Sequence, residues 1–361
     1  MFSQLSMNGS SNASGDTTST IEPEWSDKPA NALSRRGHTV VSVFLGLIMV
    51  LGFFNNLIVL ILFCKFKTLR TPVNMLLLNI SISDMLVCIF GTPLSFASSL
   101  RGRWLVGRYG CMWYGFINSC FGIVSLISLA MLSYDRYSTL TVHRKGGLHF
   151  RKPLLAVGGS WLYSLLWTVP PLLGWSSYGL EGAGTGCSVT WTARTLLSHS
   201  YIICLFIFCL VLPVSLMVYC YSRLLYVIRQ AGKTRKTAAR RRQLHILFMV
   251  VAAGACYLLC WMPYGIVALT ATFGRPGIIP PIASVVPSIL AKSSTVINPV
   301  IYFLMNKQFY RCLLILFRCQ EGAPEDTRTS VACRNTAARD KTMVGIMQHA
   351  GNTPESLHSR V

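Results

Sequence analysis

Seven long, almost uncharged apolar stretches constrain how this 361-residue chain can fold. They lie near residues 39–64, 73–100, 109–134, 153–175, 196–222, 244–273 and 280–305. A bilayer core needs about 20 mostly apolar residues per helix, so each stretch is long enough to cross one. Because the stretches are apolar on all sides, they differ from the striped helices of a large soluble protein. The sequence therefore predicts an all-α membrane protein, a seven-transmembrane helix bundle.

The distribution of basic residues predicts the orientation of this bundle. The chain has 33 Lys and Arg against 12 Asp and Glu, a formal net charge of +21. The basic residues gather after the first, third, fifth and seventh stretches, which the positive-inside rule assigns to the cytoplasm. We therefore expect a multi-pass plasma-membrane protein with an extracellular N-terminus and a cytoplasmic C-terminus. Positive charge confined to short segments between apolar stretches argues against a nucleic-acid partner.

Composition divides the chain into four regions. Residues 1–37 are polar and predicted to form an extracellular tail, and residues 38–305 are predicted to form the bundle. Residues 306–319 combine basic and apolar side chains, which is typical of an amphipathic helix lying on the inner membrane surface against lipid. Residues 320–361 are polar and predicted to be a disordered cytoplasmic tail.

Three residues outside the bundle are predicted sites of covalent modification. Asn8 and Asn12 each begin an Asn-X-Ser sequence in the N-terminal tail, which predicts glycosylation on the extracellular side. Cys319 follows the amphipathic segment and is a predicted palmitoylation site, with Cys312 as the alternative. An unmodified thiol at Cys319 is the competing interpretation.

Two of the thirteen cysteines are placed differently from the rest. Cys111 begins the third stretch at its outer end, and Cys187 lies in the outer loop before the fifth. Most other cysteines lie in the stretches or on the cytoplasmic side, where thiols stay reduced. We predict a Cys111–Cys187 disulfide that ties the outer loop across the mouth of the bundle. Two free thiols in an oxidising space are the alternative.

Lys292 is the single lysine in the interior of an apolar stretch. Inserting a charged lysine there costs at least about 2.5–3.5 kcal/mol, and it is too far from either end of the stretch to snorkel. Desolvation favours the neutral, nucleophilic form of an amine, as a Schiff base with an aldehyde requires. The sequence therefore predicts covalent attachment of an aldehyde at Lys292, with a nearby anion if the imine is protonated.

Few residues could supply that anion. Between Asp27 and Glu321 the acidic residues are Asp84, Asp135 and Glu181. Asp135 lies at the cytoplasmic end of the third stretch, and Asp84 lies midway along the second in a polar setting with Asn56 and Asn298. Glu181 precedes Cys187 in the outer loop, which the disulfide would fold down over the bundle. Glu181 is therefore the predicted counterion, and a solvated loop carboxylate is the alternative.

Several motifs, taken in order along the chain, resemble those of the rhodopsin-class G-protein-coupled receptors, and the resemblance covers about residues 38 to 320. Asn56, Asp84 and Trp161 agree with the family's pattern. Lys292, seven residues before Pro299, narrows the resemblance to opsins, and local sequence runs look like those of the non-visual encephalopsin and teleost multiple-tissue opsin group. The motif residues are Asp135, Arg136 and Tyr137, then Cys260 to Tyr264, and then Asn298, Pro299 and Tyr302.

The resemblance implies a light-activated receptor that carries 11-cis-retinal as a covalent, protonated Schiff base on Lys292. Visual pigments of vertebrates have a glutamate counterion three residues after the cysteine of the third span, where this chain has Tyr114. It should therefore resemble opsins that rely on the loop glutamate, here Glu181, which tend to be bistable. The implied retinal pocket comprises Tyr114, Phe116, Asn118, Phe121, Tyr257, Trp261 and Tyr264.

The resemblance also implies coupling to a heterotrimeric G protein, with arrestin and a receptor kinase as further partners. Arg136, once released from Asp135, is implied to engage the G protein. Many opsins tether this arginine to an acid at the base of span six, where this chain has Gln243, so a fully silent dark state is not expected. The tripeptide that contacts a transducin or inhibitory-type G protein in ciliary opsins is matched here by Asn306, Lys307 and Gln308.

Two other functions use parts of the same pattern. A retinal photoisomerase would need Lys292 but not the G-protein motifs, which favour a receptor rather than an enzyme. A receptor for a diffusible ligand would leave Lys292 unexplained, and Asn118 stands where amine receptors carry an aspartate. No metal site is expected.

Overall fold

The computed structural model describes residues 33–141, 151–230, 238–275 and 277–318. These residues form ten helices and one two-stranded sheet. The helices are α1 Arg35–Lys65, α2 Pro72–Leu86, α3 Thr92–Arg101, α4 Gly107–Thr141, α5 Arg151–Thr168, α6 Leu196–Phe206, α7 Leu212–Gln230, α8 Ala238–Phe273, α9 Pro281–Met305 and α10 Lys307–Arg318. The strands are β1 Tyr178–Glu181 and β2 Gly186–Val189.

Two of the spans contain a π-helical turn. Val87–Gly91 joins α2 to α3, and Ile207–Val211 joins α6 to α7, so each pair of helices forms one continuous span. A π-helical turn inserts an extra residue and changes the direction in which the following side chains point. The turn in the first pair precedes Pro93 by a few residues, and proline removes the backbone donor that an α-helix needs.

Six helical spans in the described part of the chain have the length and hydropathy needed to cross a membrane. The fourth predicted stretch is the exception, because α5 has 18 residues and begins with Arg151 and Lys152. The apolar run continues past the end of α5 into a short 3₁₀ turn at Pro170–Leu172, where two prolines stop the helix. With α5, the described helices form seven transmembrane segments, and α10 follows the last of them.

Polar contacts fix α4 at the centre of the bundle. The Asn79 amide on α2 donates to Ser128 Oγ on α4 at 2.8 Å and to Ser160 Oγ on α5 at 3.1 Å. The Trp161 indole donates back to Asn79 Oδ1 at 2.9 Å. Hydrogen bonds between helices orient them where the lipid offers no competing partner. Fully buried apolar side chains fill the half of the bundle away from the hairpin; they include Leu62, Leu77, Ile80, Leu129, Leu132, Met249, Val250 and Phe309.

A β-hairpin covers one end of the bundle. Strands β1 and β2 are antiparallel and pair Glu181 with Gly186. Gly182 and Gly184 have φ values of 57° and 72°, which favour glycine at the tight turn between the strands. The Cys111–Cys187 disulfide predicted from the sequence is present and ties β2 to the start of α4.

The structure ends at α10. Asn306 begins this helix, because its side-chain oxygen accepts the Gln308 N–H at 3.0 Å, and Phe309 is buried against the bundle. The predicted glycosylation sites Asn8 and Asn12 and the predicted palmitoylation site Cys319 lie outside the described residues, as do residues 1–32 and 319–361.

Candidate functional site

A cavity of about 190 Å³ lies beneath the hairpin, among α4, α6, α8 and α9. Lys292 and Glu181 both line it, and its inner end reaches Asp84. Most of the remaining wall is apolar or aromatic, which is typical of a site for an elongated apolar ligand. Five of the predicted pocket residues also line the cavity; they are Tyr114, Asn118, Tyr257, Trp261 and Tyr264.

Two predicted pocket residues, Phe116 and Phe121, do not line the cavity. Phe121 packs edge-on against Trp161 of α5, with ring centroids 5.8 Å apart, and Phe116 packs beside Trp113 at 6.2 Å. Successive helical residues are rotated by about 100°, so Phe121 faces α5 while its neighbour Gly122 faces the cavity. The sequence interpretation placed both phenylalanines in the pocket, whereas in the structure neither lines the cavity.

Lys292 lies on α9 with its amine pointing into the cavity. Its Nζ is 5.4 Å from the centroid of the Tyr114 ring on α4, a distance at which an aromatic face attracts a cation. No other lysine or arginine lines the cavity. The cavity therefore has one basic group, set against an aromatic ring.

Glu181 is the last residue of β1, and the hairpin holds it over the cavity. Burial raises the pKa of the Glu181 carboxyl above its ordinary value. Hydrogen bonds from Ser188 and Tyr264, the nearby charge of Lys292 and the Trp191 indole all act in the opposite direction, towards the carboxylate. The Trp191 indole also donates to the Tyr264 hydroxyl at 3.1 Å. Burial is the largest of these effects, so the pKa of Glu181 stays above its ordinary value although its four neighbours favour the carboxylate.

Ser188 and Trp191 were not anticipated from the sequence as site residues. Both follow Cys187 in the loop, and the register of β1 against β2 brings Ser188 beside Glu181. Because successive side chains of a strand point to opposite faces, the position of Cys187 could have predicted which following residues face the cavity. That prediction also requires the position of the hairpin turn, which the sequence did not give.

Trp261 forms the floor of the cavity. Its ring stacks on Tyr257 at 5.7 Å, and its indole N–H reaches Ser294 Oγ on α9 at 3.3 Å. A Cβ added at Gly122 would lie 2.9 Å from the Trp261 ring, so only glycine allows α4 to approach so closely. The Tyr257 hydroxyl donates to the Gly122 carbonyl at 2.7 Å. Trp261 therefore joins its own helix, α8, to α4 and α9.

Below this floor, a polar network joins four helices around Asp84. Asn298 donates to Asp84 Oδ2 at 2.8 Å and Ser125 donates to Oδ1 at 3.1 Å. Asn56 does not reach the carboxylate and instead donates to the backbone carbonyl of Thr295 on α9 at 2.9 Å. Of the two residues predicted to surround Asp84, Asn298 therefore contacts it directly, whereas Asn56 is linked to it only through the backbone of α9.

The end of α4 away from the hairpin carries the Asp135–Arg136 pair as a salt bridge. Arg136 Nε is buried and has no hydrogen-bond partner in the described part of the chain. Gln243 lies on α8, but its side chain is outside what the structure describes. Tyr137 packs against Tyr219 of α7 with ring centroids 5.9 Å apart.

One hydroxyl bridges α4, α7 and α8 near this pair. The Tyr221 hydroxyl lies 2.6 Å from Ser133 Oγ on α4 and donates to the Val250 carbonyl on α8 at 3.1 Å. A Cβ added at Gly254 would lie 3.3 Å from this hydroxyl, so the glycine leaves room for it. The described contact between α4 and α8 at this end is therefore neutral rather than ionic.

Comparisons with known proteins agree with this architecture. The family model described as 7 transmembrane receptor (rhodopsin family) matches residues 55–302. Opsin-3 of Mus musculus is 38% identical over 312 residues, covering 83% of this chain and 78% of that protein. Pinopsin of Columba livia is 35% identical over 314 residues, covering 86% and 88%. The crystal structure of squid rhodopsin superposes with a TM-score of 0.76 at 27% identity, covering 87% of this chain and 94% of that one.

These matches confirm the predicted seven-helix membrane fold and the resemblance to opsins. They also make the protein a receptor rather than an enzyme, because its relatives are receptors that work through heterotrimeric G proteins. Its opsin relatives imply a retinal chromophore. The chain belongs to the rhodopsin family of seven-transmembrane receptors and, within it, is a light-sensing, non-visual opsin.

Proposed function

We propose that this receptor binds 11-cis-retinal covalently through Lys292 and converts its photoisomerisation into activation of a G protein. When bound, retinal supplies a light-sensitive polyene and an aldehyde that condenses with a lysine amine. The observation that carries the proposal is the meeting of Lys292 and Glu181 in one cavity with aromatic walls. The test is to add 11-cis-retinal to the purified protein and to compare nucleotide exchange on the G protein in darkness and in light.

The residues of the cavity fit this chromophore. An apolar polyene needs dry, aromatic walls, which Tyr257, Trp261 and Tyr264 supply on α8. Condensation needs one amine without competitors, and Lys292 is the only basic residue among those that line the cavity. Trp261 would sense isomerisation because it contacts both α4 and α9 from α8.

Glu181 is the proposed counterion of a positively charged Lys292 nitrogen. Tyr114 occupies the alternative position and contributes a ring rather than a negative charge. Asp84 also borders the cavity, but Asn298 and Ser125 already hold its two oxygens. A counterion on a loop strand does not depend on the movement of a transmembrane helix. This supports a bistable pigment, in which the photoproduct keeps its charged nitrogen and can be reverted by light.

Removing the disulfide should prevent the pigment from forming. A Cys187→Ser variant frees β2 from α4, so Glu181 is no longer held over Lys292. Loss of a native disulfide costs about 2–5 kcal/mol in stability, and we expect a lower unfolding temperature as well as a lost visible band. The control is Cys64→Ser, which removes an exposed free thiol at the far end of α1. Equal visible absorbance per milligram in both variants would contradict the prediction.

On the cytoplasmic side we propose coupling to a transducin or inhibitory-type G protein through Arg136 and the segment Asn306, Lys307 and Gln308. Lys307 and Gln308 are the first two residues of α10, a helix of basic and apolar residues that would rest on the inner leaflet of the plasma membrane. Receptor kinase and arrestin would act on the Ser and Thr residues of the tail at 320–361. This arrangement requires the proposed orientation, with residues 1–37 outside the cell.

Restoring an acid at position 243 should lower activity in the dark. Arg136 has a buried Nε without a partner among the described side chains, and a carboxylate on α8 would give it an ionic partner between helices. We expect Gln243→Glu to reduce G-protein activation by the retinal-free protein about tenfold, the effect of one added charge-assisted hydrogen bond of about 1.5 kcal/mol. Gln243→Asn, which stays neutral, is the control. An unchanged dark rate in Gln243→Glu would refute this argument.

A further inference from the structure

A second, smaller cavity adjoins Lys292 on the side away from α8. Its volume is about 40 Å³, and it lies among α1, α3, the hairpin turn and α9. Val41 and Leu45 line it on α1, and Ser95 lines it on α3. Lys292 and Glu181 line both cavities, so the two charged groups stand at the boundary between them.

This second cavity has the size and the chemistry of a hydration site. A water molecule needs about 10–15 Å³ of such space and two to four polar partners, so the volume suits about three waters. Ser95 Oγ donates to the Thr92 carbonyl at 3.1 Å, which leaves its lone pairs to accept from water. The Thr185 and Ser288 hydroxyls line the same space beside Glu181 and Lys292. Apolar surface predominates in both cavities, but the polar share of the wall is larger in the small one.

A row of unpartnered polar atoms leads from this cavity towards the hairpin end of the bundle. Ser98 Oγ, Ser99 Oγ and His38 Nδ1 are buried, and none has a hydrogen-bond partner within the described residues. Ser98 and Ser99 follow Ser95 by three and four residues on α3, and therefore share its helix face. A Cβ added at Gly102 would lie 3.6 Å from the His38 ring, which places His38 against the outer end of α3.

Each of these buried atoms requires a partner. A buried donor or acceptor without one costs about 1–3 kcal/mol, so a water molecule that bonded any of these three atoms of α1 and α3 would stabilise the fold. Water satisfies buried polar groups of this kind in folded proteins. The row of atoms and the small cavity together mark a polar path between α1 and α3.

We propose that this path binds a chain of water molecules that connects the hairpin end of the bundle to Lys292 and Glu181. The proposed occupants are water molecules, held by hydroxyl groups of α3 and α9 and by the His38 ring. Lys292 then lies between a wet side facing α1 and a dry, aromatic side facing α8. A charged nitrogen and its counterion gain solvation from the first side without exposing the apolar ligand on the second.

The test uses the retinal-free protein, so its result does not depend on whether Lys292 binds retinal. Radiolysis of water labels side chains that contact bound water, and mass spectrometry then locates the labels. We expect Val41 and Leu45 to be labelled in the unaltered protein. Ser95→Val should reduce that labelling roughly fivefold, the loss expected when one hydrogen bond of about 1 kcal/mol to water is removed. Ser81→Val is the matched control, since Ser81 is also buried without a partner but lines neither cavity.

A second variant tests the outer part of the path by a different measurement. If water binds Ser99 Oγ, Ser99→Ala should lower the unfolding temperature and reduce labelling of Leu45. If Ser99 Oγ is dry, removing an unsatisfied hydroxyl should instead raise that temperature. A raised temperature, unlabelled Val41 and Leu45 in the unaltered protein, or equal labelling in Ser95→Val and Ser81→Val would each overturn the proposal. Any of these results would leave the proposed retinal site untouched, because the cavity facing α8 does not depend on the path.

Discussion

A Lys292→Ala variant incubated with 11-cis-retinal is expected to form no visible pigment. Among the described residues, Lys292 is the only basic side chain lining either cavity, so its loss removes the one amine there that can condense with the aldehyde. The effect should be complete, because a covalent bond is lost and no neighbouring group can replace it. The measurement is an absorption spectrum of the purified protein, followed by acid denaturation to trap any covalently bound chromophore.

Two controls separate loss of the bond from loss of the fold. Lys67→Ala removes a lysine from the short 3₁₀ turn Lys67–Leu69 that follows α1, and this variant should keep the full visible band. In Lys292→Ala itself, a preformed imine of retinal with a short alkylamine should restore visible absorbance, because Glu181 and the aromatic walls remain. A visible pigment in Lys292→Ala that acid trapping shows to be covalent would refute attachment at this residue.

The fold was predictable because the bilayer imposes a simple rule on composition. A helix that crosses lipid must satisfy its own backbone and present apolar side chains, so hydropathy alone revealed seven segments. The approximate ends of six of them agree with the described helices. The fourth segment was the weakest, since α5 begins with Arg151 and Lys152 and ends before two prolines.

The charged groups of the site were also predictable, and for a related reason. Charges are costly in lipid, so Lys292 and Asp84 were conspicuous within long apolar stretches. Glu181 followed from the pairing of two cysteines, which brings the loop over the bundle. To make these predictions, it was enough to know which residue types are rare inside a membrane and at which end of the bundle each one lies.

The rotation of each helix was not predictable, and the differences arise there. Phe121 packs on Trp161 rather than in the cavity, because a difference of one residue turns a side chain by about 100°. When a helix is apolar on all sides, its hydropathy does not indicate which side chains face the interior of the bundle. The π-helical turns at Val87–Gly91 and Ile207–Val211 change the direction of the side chains again within a span. Each turn ends just before a proline, Pro93 or Pro213, but a proline alone does not predict a π-helical turn.

The polar partners of Glu181 depend on the register between β1 and β2, which the sequence did not give either. Ser188 reaches the carboxyl because Glu181 pairs with Gly186, two residues earlier in β2. A shift of one residue would exchange the two faces of the hairpin. The loop glutamate could therefore be chosen as a candidate from the sequence, whereas the groups that hold it required the structure.

Neutralising that glutamate should change the colour of the pigment. A Glu181→Gln variant reconstituted with 11-cis-retinal is expected to absorb in the ultraviolet at neutral pH instead of the visible. Burial leaves a positive charge at Lys292 poorly solvated, and Glu181 is the carboxylate at that end of the cavity. Without it the nitrogen gives up its proton, and an unprotonated imine absorbs at shorter wavelength. Acidification should restore the visible band as the solution returns that proton.

The choice among the three acidic residues can be tested with matched variants. Glu181→Asp keeps the charge and should keep visible absorbance, although the shorter side chain moves the carboxylate and shifts the band. Asp84→Asn removes the other carboxylate that borders the cavity and should keep the visible band, because Asn298 and Ser125 engage Asp84 some distance from Lys292. If Glu181→Gln remained visible at neutral pH while Asp84→Asn turned ultraviolet, the counterion would be Asp84. The hairpin would then serve only to close the cavity, and the argument for a bistable pigment would lose its basis.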